Sequence, residues 1–225
     1  MDAESSRDVG AEASSFDRIA DLPLRIDDHE LAVNERETMA FARKTTTVSL
    51  RGDGHEGLGE DVTYEADEHD ALAAAGLPSL AGGYTLASFS AHLDGVDLFP
   101  AGAPDREVFR DYRRWGFESA ALDLALRQAG TDLGATLGRG YDPVRFVVSP
   151  RLGDPPTTDR LDALADLHDA LEFKLDAEPE WDDDLVAELA ALDRVRVVDL
   201  KGQYEGTEVD RPADPDLYER VIDGF

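Results

Sequence analysis

The last third of the 225-residue chain alternates between two hydrophobic periods. VRFVVS (residues 144–149) is an apolar run of the kind found in a strand buried on both faces. Thr158 or Asp159 can cap a helix that gathers Leu161, Leu164, His168 and Leu171 on one face. EFKLD (residues 172–176) reads as a short strand. Asp182, Asp183 and Asp184 place negative charge at a helix start, and Leu185, Leu189 and Leu192 follow at helical spacing. RVRVVDL (residues 194–200) is the next strand, and Pro215 or Asp216 opens a last helix. Strands alternating with helices in this way make a parallel sheet with crossover helices.

The rest of the chain has a different pattern. Residues 1–15 are small and polar and read as a disordered lead. Two strand candidates follow, at residues 19–26 and at TTTVSL (residues 45–50). RGDGHEGLGED carries four glycines and can turn a hairpin. Residues 67–75 can form a helix, and residues 100–104, bounded by two prolines, form a break. DREVFRDYRRWGFESAALDLALRQAG then reads as a long, largely buried helix, with Gly130 placed to stop it. LGRGYDP is a linker near residues 138–143, so the expected domains are 16–140 and 141–225.

Charge narrows the setting. Acidic residues outnumber basic ones 50 to 22, for a net charge of −28, and they recur along the whole chain. Three of the basic residues are lysines (Lys44, Lys174 and Lys201), which leaves nineteen arginines. Pervasive acid with scarce lysine reads as adaptation to concentrated salt. The Debye length at about 1 M salt is only ~3 Å, so self-repulsion is screened. A protein that binds a basic partner would instead carry local acidic blocks, and the longest here is residues 182–184. The same charge argues against nucleic acid or an anionic membrane as a partner. The absence of cysteine excludes disulfides and thiolate chemistry. No signal pattern opens the chain, and the uncharged stretch 71–93 is broken by Pro78, Gly82, Gly83 and His92, so a cytoplasmic protein is expected.

In parallel α/β sheets functional groups gather at the carboxyl ends of strands. Lys174 and Asp176 stand two apart at the end of one expected strand and share a face; Asp199 and Lys201 do the same at the end of the next. Two carboxylates and two ammonium groups could hold a divalent ion and a carboxylate substrate, or could be paired ions closing the mouth of a barrel.

Four segments carry a family resemblance. FESAALDLALRQAGTDLGATLG, with Glu118, Ala121, Leu122, Asp123, Leu137 and Gly138, resembles the capping-domain helix of the enolase superfamily. GHEGLGE (residues 54–60) resembles the glycine turn of that domain in the mandelate racemase/muconate lactonizing branch. FKLD resembles that branch's second barrel strand, and VVDLKGQY (residues 197–204) its third. The resemblance implies an α+β capping domain followed by an α/β, TIM-type barrel portion of about three βα units. It also implies Mg²⁺-assisted removal of a proton next to a carboxylate, as in acid-sugar dehydratases, cycloisomerases and racemases. By position Asp199 matches the first metal-ligand carboxylate, and Lys174 the lysine that assists near the substrate carboxylate.

The departures are specific. Asp176 stands where the branch has its catalytic lysine, and would serve as a base only if its pKa were raised. Lys201 replaces the usual asparagine, and its charge would weaken a metal site or replace part of the ion's charge. The family's further metal carboxylates lie on later strands, and three strands do not close an eight-stranded barrel. The expected partners are therefore a small carboxylate and either a second copy of the chain or a missing barrel portion. The alternative is a non-catalytic enolase-like binding or assembly protein. A generic α/β ligand-binding domain would be favoured if the glycine turn and the Trp115 helix did not pack together.

Lesser candidates have plainer readings. His168 reads as a packed helix residue and His55 as an exposed loop residue, although the resemblance, in which this domain closes over the substrate, also allows His55 a substrate contact. His29, His69 and His92 lack ligand spacing. The glycine run has no Lys-Ser or Lys-Thr after it, so it is not a phosphate loop. Trp115 and Trp181 read as core or capping-domain residues.

Overall fold

The computed structural model describes residues 14–37, 42–200 and 213–225. The chain divides into two compact units, Met1–Tyr141 and Asp142–Phe225.

In the first unit, Ser14 and Asp17 form a reciprocal capping box that starts α1 (Ser15–Ile19). Ile19 is therefore helical, and the strand expected over 19–26 shortens to β1 (Pro23–Ile26), with Leu24 and Ile26 buried. Of the expected disordered lead, residues 1–13 lie outside the described residues, whereas Ser14 and Ser15 are held by that cap. β2 (Asp28–Glu37), β3 (Ala42–Gly52) and β4 (His55–Asp61) form an antiparallel sheet in that order. Asp53 and Gly54 join β3 to β4 with φ of 49° and 77°, the sign at both positions that a type I′ hairpin turn requires. α2 (Ala66–Ala75) follows, and β5 (Gly82–Thr85) pairs antiparallel with β1. α3 (Leu86–Leu93), α4 (Val108–Gln128) and α5 (Leu133–Leu137) complete this unit.

The helix α4 organises the core. Phe109, Gly116, Phe117, Ala120, Ala121 and Leu124 are buried along it at helical spacing. β4 lies directly on this stripe because Gly57 and Gly59 have no side chain. A Cβ at Gly57 would run into the backbone of Ala120 and Leu124, and one at Gly59 into that of Gly116 and Ala120. Asp123 Oδ2 accepts from the Leu58 N–H at 3.0 Å. The glycine segment and the Trp115 helix thus pack together, which removes the generic ligand-binding alternative's distinguishing expectation. Trp115 itself is 55% exposed, contrary to a core reading: it sits beside the buried stripe, against Tyr112 at 5.5 Å.

In the second unit β6 (Val147–Val148), β7 (Glu172–Asp176) and β8 (Val195–Asp199) form a parallel sheet in that order. α6 (Asp159–Leu167), α7 (Asp183–Ala191) and α8 (Pro215–Gly224) lie between and after them. Asp182 and Asp214 cap the last two helices by accepting from Leu185 N and Leu217 N. Phe173 and Leu175 of β7 join one core with Leu161, Trp181, Leu185, Leu189, Leu217 and Val221. The alternate residues Glu172, Lys174 and Asp176 occupy the other face.

Two expectations fail here. The run 144–149 yields only a two-residue strand, and Val144 and Phe146 are 75% and 83% exposed, since among the described residues β6 pairs with β7 alone. His168 is exposed, not packed: α6 ends at Leu167, and His168 is extended (φ −156°), which takes it off the helical face.

Candidate functional site

The register between β7 and β8 shifts by one residue after Phe173. Phe173 pairs with Val195, but Lys174 pairs with Val197 and Asp176 with Asp199. Without the shift Asp176 would face Val198, and Asp199 would point to the opposite side of the sheet. The skipped Arg196 instead donates from Nε to Glu172 Oε1 at 2.8 Å.

The shift gathers three of the four charged residues picked from the sequence. Lys174 Nζ donates to Asp176 Oδ1 at 2.9 Å and to Asp199 Oδ2 at 2.8 Å. The three side chains are 30%, 40% and 25% exposed, so the cluster is accessible from solvent. The hydrogen bond to Asp199, then that to Asp176, raises the Lys174 pKa above the ordinary lysine value, against a smaller opposing effect of burial. Lys174 is thus held as an ammonium and is a cation, not a base, near neutral pH. Lys201 lies outside the described residues.

Mg²⁺ takes about six oxygen ligands in near-octahedral geometry. The cluster offers two carboxylates with an ammonium already between them. Among the described residues no group of three or more His, Asp or Glu is placed to hold a metal ion. The donor set described therefore does not fit a divalent ion.

A second polar cluster, in the first unit, was missed in the sequence. Arg113, 1% exposed, donates to Asp61 Oδ2 at 2.8 Å, to Leu98 O at 2.8 Å and to Glu68 O at 2.9 Å. It also stacks over the Phe99 ring at 3.8 Å. Asp61 Oδ1 accepts from the backbone and hydroxyl of Thr63. His69 is fully buried; its Nε2 faces Thr63 O and its Nδ1 faces Thr46 Oγ1, both at 2.9 Å. A carbonyl only accepts, so Nε2 carries the proton. The available signal was helical spacing: Phe109, Arg113, Gly116 and Phe117 share the buried face of α4. His55 is exposed on β4. An open hollow of about 560 Å³, lined by Arg25, Asp53, Tyr84, Ser88 and Gln128 among others, also lies in this unit. The Gln128 amide there is already bonded to Arg25 and Gly52 backbone.

Two solved structures share this fold. A muconate cycloisomerase from Azorhizobium caulinodans superposes with a TM-score of 0.57 at 14% identity, over 90% of this chain and 56% of that one. A mandelate racemase/muconate lactonizing enzyme from Bordetella bronchiseptica RB50 does so with a TM-score of 0.51 at 16% identity, over 90% of this chain and 63% of that one. The chain spans 58% of the length of further muconate cycloisomerase structures. No curated protein matches it. The chain shares the fold of these two enzymes, mixed α/β in content, in line with the sequence resemblance. Two family models match in sequence, the N-terminal domain of a domain of unknown function (DUF8230) over residues 17–136 and its C-terminal domain over residues 140–225. The chain belongs to the DUF8230 family.

Proposed function

We propose that this chain is the capping domain and the first three βα units of an enolase-type isomerase or lyase that labilises a proton next to a carboxylate. The observation behind this reading is the convergence of Lys174, Asp176 and Asp199 at the carboxyl ends of adjacent parallel strands, on an enolase-type fold. A fixed ammonium at the strand ends stabilises negative charge that develops on a substrate carboxylate as its neighbouring proton leaves. In this reading Lys174 faces the substrate carboxylate and Asp176 accepts the proton. The Mg²⁺ implied by the resemblance would need ligands beyond those described. Residues 16–140 act as the capping domain, and a further barrel portion or a second copy of the chain completes the site. No helix among the described residues is long and apolar enough to cross a membrane, and a cytoplasmic setting in concentrated salt is part of this proposal.

One observation favours a second reading, a non-catalytic enolase-like binding or assembly protein. Lys174 already engages both carboxylates, which leaves its charge neutralised before any substrate arrives. The two readings separate by proton NMR in D₂O. A panel of mandelate, sugar acids and L-Ala-L-Glu is incubated with the protein and Mg²⁺. Loss of an α-proton signal that a Lys174→Met variant abolishes is the expected result. A panel untouched by folded protein gives the second reading the advantage.

A further inference from the structure

We propose that Lys174 is the resident cation of its cluster, so that Asp176 and Asp199 hold a protein ammonium where an enolase-type site is expected to hold a divalent ion. The inference rests on the reading above only for that expectation.

Three observations support it. The register shift after Phe173 puts Asp176 and Asp199 opposite each other on one face, and both bond to the same nitrogen at 2.9 and 2.8 Å. Two carboxylates placed this close repel unless a cation sits between them, and Lys174 does. The chain also makes this cation a lysine, although it has nineteen arginines and three lysines. An ammonium is a compact point charge that sits between two carboxylates as an ion does. The other described lysine, Lys44, also pairs with two carboxylates, Asp70 at 2.6 Å and Glu35 at 3.6 Å. Lastly, no third His, Asp or Glu among the described residues joins the pair. A divalent ion entering here would have to displace the ammonium or sit against its charge.

The test is a titration of the full chain with Mn²⁺, read by electron paramagnetic resonance of the free ion, and with Mg²⁺, read by calorimetry, in dilute and in molar KCl. Wild-type protein is expected to show no divalent-ion uptake that Asp199→Asn removes. Lys174→Met, with its fold checked by circular dichroism, is expected to gain a site at least about tenfold tighter than any in the wild type, because the ammonium that sits between the two carboxylates is gone. Adding Asp199→Asn to that variant removes the gain. Wild-type uptake that depends on Asp199, or equal binding by wild type and Lys174→Met, overturns the inference. Should Lys174→Met fail to fold, the wild-type and Asp199→Asn comparison decides alone: a difference between them overturns the inference and identity supports it. The outcome is separable from proton exchange. A metal-binding wild type leaves the exchange reading standing, and absent exchange without metal uptake leaves this inference standing.

Discussion

Arg113 in the first unit and Lys174 in the second each hold a carboxylate oxygen at 2.8 Å, yet their surroundings differ. Arg113 and Asp61 are fully buried, and Leu98 O, Glu68 O and the Thr63 hydroxyl satisfy their remaining groups. Lys174 and its two aspartates are a quarter or more exposed and stand at strand ends. Chemically similar pairs therefore do different work. The dry pair ties β4, α2 and α4 together, and losing either partner strands a charge without water. The wet cluster is expected to contribute little to folding and leaves its charges within reach of a ligand.

That contrast can be broken most forcefully at Arg113. Arg113→Met leaves Asp61 buried and unpaired, so the first unit is expected to lose about 3–5 kcal/mol of stability in urea unfolding. A loss below about 1 kcal/mol would place the buried pair in the same class as an exposed one. Gly59→Ala comes next. The new Cβ meets α4 backbone, which cannot give way as a side-chain tip can, and about 1–3 kcal/mol is expected to be lost by the same measurement. Asp199→Asn is expected to cost only about 0.2–1 kcal/mol, as for a partly exposed ion pair, while abolishing proton exchange. A large stability loss there would make the cluster a structural one.

The smallest expected effect is alkaline. The Lys174 pKa is raised in the folded protein. Its contribution to stability is therefore fully present below the unfolded lysine value of about 10.4 and is lost as pH rises through the higher folded value. The melting temperature of the second unit is expected to fall over that window, and Lys174→Met is expected to lose this dependence on Lys174. A dependence unchanged in the variant would assign it to other groups.

Much of the second unit was legible because its elements are short and locally coded. EFKLD alternates, so Lys174 and Asp176 had to share a face, and Asp182 announced its helix. The register shift after Phe173 was not legible, because pairing between strands is decided by packing that a single strand does not encode. Yet that shift is what places Asp199 beside Lys174. Val144 and Phe146 are apolar, and that pattern predicts burial, yet both precede the two-residue β6 and stay exposed. Trp115 and Trp181 show the same limit: similar in sequence prospects, one is 55% exposed and the other 1%. The Asp61, His69 and Arg113 network crosses three elements, and only the helical phase of Arg113 hinted at it.

With three lysines in the chain, Lys174 can be observed alone. In protein carrying ¹³C at lysine Cε, Lys44→Arg and Lys201→Arg assign the remaining resonance. The resonance is expected to titrate above the ordinary lysine range, near 10.4, and to stay unmoved when Mg²⁺ is added. A Lys174 signal that Mg²⁺ returns to the ordinary range would show an ion displacing the ammonium from Asp176 and Asp199, and would contradict the account.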